Sequence, residues 1–407
     1  MWSRNFSSGG QARFDALSWQ AHKMADFTPL PCRATLEQYR DQAATLLEAW
    51  RAGDAGAIEM VRHKHPRFLD PAIPWLPKKL SDAEVRGAVF DRDDAELTVA
   101  RAYDFGSWAN LVHHVDAVAD ERSPVARFES AVEAVIHGDV AALRAMLEND
   151  RDLVHARSAR VTHFDPPVHG ATLLHYVAAN GVEGYRQKTP SNAVAVARLL
   201  LENSADVDAL ADMYGGRHAT MSMLVSSAHP AAAGLQAALV DTLVDFGASV
   251  EAIGSGAWAS PLTTALAFGY RDAAEALVRR GARVDTLSAA AGLGRLEDAR
   301  RLLADAISED RHRALVLAAQ NGHAAIVGLL LDAGDDPNRF NPPGNHAHST
   351  PLHQAALAGH DEVVRLLVAR GARLDIRDTI YDATPLGWAH HGGHAHIAEF
   401  LRAHGAE

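Results

Sequence analysis

The sequence predicts an all-α solenoid, a stack of about eight helix–turn–helix units behind an N-terminal helical cap. Three observations predict it. The stretch from Thr350 to Ala372, TPLHQAALAGHDEVVRLLVARGA, reads as two short helices punctuated by glycine. Inter-helix glycines or their stand-ins recur at Gly138, Gly181, His229, Gly269, Gly294, Gly322, Gly359 and Gly393. The chain has 407 residues, 48% of them hydrophobic, which is long for one compact core but ordinary for stacked units that bury their faces against neighbours.

Taken in order, residues 1–33 are expected to be poorly structured, because Ser7-Ser8-Gly9-Gly10 and the prolines at 29 and 31 interrupt any periodic pattern. Trp2, Phe6, Phe14 and Trp19 are the residues through which this segment would dock on the array. Residues 34–122 are expected to form an N-terminal helical domain. Leu36, Tyr39, Ala43, Leu46, Leu47 and Trp50 make one apolar stripe. Trp50 to Asp54 reads as an inter-helix turn, and a proline-rich link (Pro71, Pro74, Pro77) follows the next helix. Ser81-Asp82-Ala83-Glu84 is a capping box, and Ala95 to Val118 reads as two helices hinged at Phe105-Gly106-Ser107-Trp108.

Residues 123–407 carry the repeats. In the cleanest copy, Leu352, Ala355 and Ala356 recur at helical spacing and Gly359-His360 ends the first helix. Val363, Val364, Leu366, Leu367 and Val368 then bury one side of the second, which Gly371 terminates. The pattern TPLHxAAxxGHxxVVxLLxxxGA closely resembles the ankyrin repeat, a unit of about 33 residues with two helices and a β-turn finger. The combination of LLEAWRAGDAGAIEMVRHKHPRF with DAELTVARAYDFGSWANLVHHV resembles a helical leader found in many bacterial ankyrin-repeat proteins. The resemblance implies binding of other macromolecules through the fingers and the concave groove. The last unit has TPLG in place of TPLH and is read as a cap, with Trp388 packing inside it and His404-Gly405-Ala406-Glu407 as the end of the array.

The intervals between turns are uneven. They reach 48 residues between Gly181 and His229 and fall to 25 between Gly269 and Gly294. Val284 to Leu287 and Ile307 to Arg313 run straight into the next helix without a finger, which places a possible division of the array at about residue 285. The surplus elsewhere lies in the fingers Arg157–Gly170, Asp208–Ala219 and Glu251–Ser260, and in loops at Glu183–Pro190 and His229–Gly234. Long loops in compact arrays are functional or disordered.

The formal net charge of −12 argues against nucleic acid, which needs a basic surface. A single cysteine suits a reducing compartment, no apolar run reaches membrane-spanning length, and residues 1–15 hold no apolar signal region, so a cytoplasmic monomer with a protein partner is expected. The finger residues proposed for contact are Arg160, His163, Phe164 and His169 in the first finger, and Asp212, Tyr214, Arg217 and His218 in the second. Trp258 follows in the third, Arg339 and Phe340 in the sixth, and Asp378, Tyr381 and Asp382 in the seventh. Aromatic rings with arginines suit hot-spot recognition. The alternative is an enzyme or small-molecule binder with a pocket built from Tyr185, Lys188, Tyr214 and His229, in which Asp165 or Asp212 orients His169 or His218. Nucleophile-elbow, zinc-protease, Walker and dinucleotide-binding motifs are missing from the sequence.

Histidine is abundant, at 23 residues. His175 and His353 occupy the TxxH position, where the ring is expected to tie the finger to the helix start, and His323, His360 and His394 occupy the Gly-His turn. His346-x-His348 and His390 to His396 are the densest remaining groups. Neither supplies the three or four converging ligands a zinc site needs, so no metal and no cofactor are expected.

Overall fold

The computed structural model describes residues 28–407, so the expected docking of Trp2, Phe6, Phe14 and Trp19 lies outside the described residues. The described residues form two compact units, 28–248 and 249–407. Both are built from paired helices.

In residues 28–248, helix α1 (Leu36–Ala52) opens on a capping box between Thr35 and Gln38 and buries Tyr39, Ala43, Leu46 and Trp50. Helix α2 (Ala55–Lys64) follows the left-handed turn at Gly53. The proline-rich link leads to α3 (Asp82–Arg86), whose start is capped by the Ser81–Glu84 box read in the sequence. Helices α4 (Arg92–Ala102) and α5 (Trp108–Ala119) meet at the hinge 103–107. Trp50 lies against Phe90, with ring centroids 4.6 Å apart, in a core that also holds Val61, Phe68, Val85 and Leu111. The first repeat is α6 (Pro124–His137) with α7 (Val140–Asn149), and the second is α8 (Leu173–Ala178) with α9 (Ala193–Glu202). The second finger is an antiparallel hairpin of β1 (Leu210–Met213) and β2 (Gly216–Ala219), with Asp212 opposite Arg217 and Ala211 opposite His218. Helices α10 (Thr220–Leu224), α11 (Ala228–Ala232) and α12 (Gln236–Asp245) complete this unit. His229 is not the inter-helix turn that its place in the series suggests. It sits inside α11, and the left-handed turn is made four residues after Pro230 by Gly234, with φ 69°.

Residues 249–407 hold five helix pairs. They are α13 (Pro261–Ala267) with α14 (Arg271–Arg279), α15 (Leu287–Gly292) with α16 (Leu296–Leu303), α17 (Ser308–Gln320) with α18 (Ala324–Asp332), α19 (Pro351–Ala358) with α20 (Asp361–Ala369), and α21 (Pro385–His391) with α22 (Ala395–Ala403). The first helices of successive pairs pack on one another: α13 on α15, α15 on α17, α17 on α19, and α19 on α21. Ala290, Ala291, Ala314, Ala318, Ala355 and Ala356 are buried there, and such small side chains let backbones approach closely. The two fingerless junctions fall inside this unit, so the division of the chain lies at 248/249 and not near residue 285.

The Gly-His turn has a physical reason. His323, His360 and His394 each lay the imidazole over the turn glycine of the preceding pair, Gly294, Gly322 and Gly359. A Cβ on Gly359 would stand 2.5 Å from His394 Cε1, and its φ of 81° is itself left-handed, so only glycine fits. Each ring then donates from Nε2 to a carbonyl of the preceding pair: His323 to Gly292, His360 to Gln320 and His394 to Leu357, all at 3.0 Å. The TxxH histidines act in the other direction. His353 Nδ1 accepts from the Thr350 amide at 3.3 Å and its Nε2 donates to Ala383 O of the next finger at 3.2 Å. His175 does the same between Thr172 and His218 O.

Candidate functional site

Two places in the structure depart from plain repeat packing, one in each unit. In residues 28–248 the surplus of the first finger and of the 183–190 loop converges on the α4–α5 hinge. The first-finger amide and carbonyl groups pair with the hinge: Gly106 N donates to Val161 O at 3.1 Å and His163 N to Asp104 O at 3.1 Å. Asp104 then accepts the Gly184 amide from the loop at 2.6 Å. Beneath these contacts lies a sealed charge seam. Glu129 of α6 pairs with Arg186 Nη2 at 2.5 Å and Arg160 Nη1 at 3.2 Å. Glu183 takes the Tyr176 hydroxyl at 3.0 Å, His169 Nε2 at 3.2 Å and Arg160 Nε at 3.4 Å. Arg160 also donates to Tyr103 O and lies 4.2 Å over the Phe105 ring. Arg160, Arg186, Glu129 and Glu183 are all buried, two cations against two anions.

Burial alone would raise both carboxyls. His169 and the two guanidinium groups outweigh it at Glu183, and Arg186 and Arg160 outweigh it at Glu129, so both are held below the usual carboxylate range. His114, against Glu129, is pushed down to about 3 by burial and by Arg160. His163 is pushed down to about 3 by burial, Arg101 and Lys64. The two carboxylates therefore stay charged, and His114 and His163 stay neutral beside them near neutrality. The chemistry of the seam is attachment of the hinge to the first repeats.

In residues 249–407 the long sixth finger fills the place of the missing ones. Arg313 Nη1 donates to Pro343 O at 2.9 Å and to Asn345 Oδ1 at 3.0 Å, and His312 Nε2 donates to Phe340 O at 2.9 Å. His346 reaches back to donate to Ala267 O at 2.8 Å. The seventh finger joins it where Thr379 N donates to His348 O at 2.9 Å. Asp378 organises the seventh finger by accepting the amides of Ile380, Tyr381 and Ala383 and the indole of Trp388 at 3.0 Å. Burial raises its carboxyl, but His348 and these donors prevail and bring it to about 2. Trp388 is buried against His353, as its packing role requires.

The structure corrects several contact assignments. Arg160, His169, His218 and Asp378 are buried and are not finger-tip residues. Arg160 and His169 belong to the charge seam, Asp378 caps its own finger, and His218 faces inward from β2. The expected Asp–His pairs do not form. His169 is engaged by Glu183, and Asp212 and His218 sit on non-paired hairpin positions, with the Asp212 carboxylate 3.8 Å from Arg217 Nε. The four pocket residues are not brought together. Tyr185 packs on Tyr103 beside Arg160 and Arg186, and Lys188 is exposed with Nζ 3.4 Å from His137 Nε2. Tyr214 donates to Asn180 Oδ1 at 2.7 Å, and His229 lies by the Ala179 carbonyl. His163, Asp212, Trp258 and Tyr381 are half-buried. Arg217, Arg339 and Asp382 are exposed, and so are the rings of Phe164 (39%), Tyr214 (47%) and Phe340 (39%).

Sequence reasoning missed Glu129, Glu183 and Arg186. The available signal was a carboxylate at an apolar position, since Glu129 lies among Phe128, Ala131 and Val132, together with Glu183 and Arg186 three apart around Tyr185. Among the described residues no group of three or more histidine, cysteine, aspartate or glutamate side chains is placed to hold a metal ion, and no helix is long and apolar enough to cross a membrane.

A family model described as ankyrin repeats in three copies matches residues 341–407, and one described as a single ankyrin repeat matches residues 310–342. The chain is similar to cyclin-dependent kinase inhibitor 2A of Homo sapiens, 35% identical over 123 residues that make up 29% of this chain and 76% of that protein. It is 33% identical to cyclin-dependent kinase 4 inhibitor B of Bos taurus over 121 residues, 29% of this chain and 89% of that protein. It is also similar to the ankyrin repeat and KH domain-containing protein mask-1 of Caenorhabditis elegans, 34% identical over 182 residues, 43% of this chain but only 7% of that protein. These three relatives are eukaryotic.

Proposed function

Because the chain belongs to the ankyrin-repeat family, we propose that it acts as an interaction protein that grips a protein partner through its finger tips and the groove beside them. The observation that carries this reading is the exposure of single aromatic rings on turns fixed by hydrogen bonds. Phe340 is exposed while its own carbonyl is held by His312, and Tyr214 is exposed while its hydroxyl is held by Asn180. The Tyr214 ring is held directly and the Phe340 ring stands on a fixed backbone, so each loses less entropy on binding than a ring on a mobile turn, which suits an interface anchor. Arg339, ion-paired to Glu309 at 2.5 Å, and Asp382 supply charged neighbours for a polar rim. The relatives whose names describe kinase inhibitors act on a protein, which supports a protein as the partner class here. The single cysteine supports an intracellular site of action.

The test is capture of partners by the full chain and by Phe340→Ala with Arg339→Ala. Loss of specific proteins by the variant, with an unchanged melting temperature, is the expected result. Identical recovery would remove the sixth finger from the interface.

A further inference from the structure

The α4–α5 hinge carries a positive charge that the rest of the fold leaves unanswered. Asp104 is at its centre. The Asp104 amide donates to Arg101 O at 3.0 Å and its carbonyl accepts the His163 amide at 3.1 Å, so the main chain holds these three residues together. The Asp104 carboxylate is buried and already engaged. Its Oδ2 accepts the Gly184 amide, and its Oδ1 lies 4.0 Å from Lys64 Nζ and 3.8 Å from His163 Nε2. Asp94, two turns before Arg101 on the same helix face, is taken by Arg67 at 2.7 Å and His65 at 3.1 Å. Among the described residues the Arg101 guanidinium makes no hydrogen bond and no ion pair, and its Nε is buried without an acceptor, as is His163 Nδ1. Arg101, Lys64 and His163 are half-buried, so the cluster opens to solvent. Beside it stands the exposed Phe164 ring, its centroid 4.4 Å from that of His163. Burial lowers Arg101, with Asp104 opposing it only in part, and burial, Arg101 and Lys64 together push His163 down to about 3. Both directions are those of cations short of counter-charge. The last turn of α4 favours a positive side chain, but not one withdrawn from water without a partner, which costs stability.

We propose that Arg101, with Lys64 and His163 beside it, is the seat for a carboxylate of a protein partner whose neighbouring apolar side chain lies on Phe164. The inference rests on the protein-interaction reading and names the group that is recognised. Three features point to that ligand. A guanidinium presents a planar fork of donors that matches a carboxylate. Asp104 balances Lys64, which leaves one unmatched charge, at Arg101, and a carboxylate supplies one. A phosphate dianion would bring a second negative charge toward Asp104, where like charges repel. Phe164 adds an exposed ring at the edge of the seat, so an acidic group followed by an apolar one is favoured over a free inorganic anion.

The experiment is saturation-transfer NMR of small probes on the full chain. N-acetylleucine offers a terminal carboxylate, acetyl-Glu-Leu-amide a side-chain carboxylate, and acetyl-Gln-Leu-amide is the uncharged control. Saturable binding of a carboxylate probe and none of the control is expected, and the tighter of the two carboxylates identifies the source. Arg101→Gln should weaken that binding about tenfold or more. Its melting temperature should be unchanged or higher, because the guanidinium removed has no partner. Asp104→Asn keeps an acceptor for the Gly184 amide and a residue type that tolerates the left-handed φ of 61°, and it frees Lys64, so it should tighten binding about threefold or more. If Arg101→Gln is unfolded, the asparagine variant decides. Absence of saturable binding, equal affinity in Arg101→Gln, or no tightening in Asp104→Asn overturns the proposal. Tighter binding of phenyl phosphate than of either carboxylate overturns the ligand class. Failure on any of these counts is distinct from failure of the interaction reading, which is decided by partner capture at Phe340 and Arg339 and involves none of these residues.

Discussion

The first finger and the sixth finger are both longer than a plain repeat needs, and they are held by opposite means. Arg160 carries a charge into the interior and is met by Glu129 from α6 and Glu183 from the 183–190 loop. The sixth finger is held by His312, Arg313 and His346 donating mostly to main-chain carbonyls. A buried charge must be matched by other charges from defined elements, so the hinge, first repeat and loop specify one another. A main-chain carbonyl is offered by every residue, whether of the finger, as at Phe340 and Pro343, or of a helix end, as at Ala267, so a finger held that way makes fewer demands on the side chains of its neighbours.

The difference predicts where substitution hurts most. Arg186→Leu leaves Glu129 and Glu183 buried with one fewer counter-charge and should cost about 3–5 kcal/mol, because breaking a buried pair strands its partner. Equilibrium urea unfolding measures it. Adding Glu129→Leu to the same chain should recover part of the loss, since the stranded carboxylate is then gone. A cost for Arg186→Leu below about 1 kcal/mol would show that the seam admits water.

Acid should weaken both regions, through histidines kept neutral by burial. His346 and His353 lie at about 4, against an ordinary value of 6.5, with burial as the main cause and carbonyl acceptors opposing it. An unfolded chain binds a proton at each of these sites below pH 6.5 that the folded chain refuses. Their contribution is therefore complete above pH 6.5 and is lost as pH falls through 6.5 toward 4. His114 and His163, at about 3, extend the loss to lower pH in residues 28–248. Melting temperatures should be level from pH 7.5 to about 6.5 and fall from there to pH 4.5, and His346→Gln should make the fall shallower. A profile flat across that range would mean that the rings are hydrated.

The glycine turns give a smaller and sharper comparison. Gly359→Ala must adopt a left-handed φ of 81° and also displace the His394 ring, whereas Gly371→Ala, at 87°, meets nothing within 4 Å. Gly371→Ala should cost about 1 kcal/mol from backbone strain alone. Gly359→Ala should cost about 1–3 kcal/mol, and the difference isolates the histidine stack. Equal losses in urea unfolding would show that the stack contributes nothing.

These contrasts also explain what was legible in the sequence. The TPLH and Gly-His elements could be read because one local pattern repeats with one local geometry, and the fold class followed from them. The capping box at Ser81 and Glu84 was legible for the same reason, since its partners lie three residues apart. The charge seam was not legible, because Arg160 meets Glu129 and Glu183 only after three separate elements pack, and nothing in the spacing of 129, 160 and 183 announces it. The length of the first finger drew attention, but length does not tell a docking contact from a pocket wall. His229 misled for a related reason. The irregular third pair places its turn at Gly234, beyond a short extra helix that periodicity alone could not locate.

The smallest effect on stability should come from the exposed tips. Phe340 and Phe164 keep more than a third of their surface in water, so Phe340→Ala and Phe164→Ala forfeit little burial and should change unfolding free energy by no more than about 0.5 kcal/mol. Partner capture should respond differently, because an exposed ring on a finger tip gains its burial only in the complex. Phe340 sits on the sixth finger, and its loss should reduce capture more than the loss of Phe164 if the partner is engaged mainly by residues 249–407. Equal reductions would place the contact on both units, and a larger effect of Phe164→Ala would move the principal contact to residues 28–248.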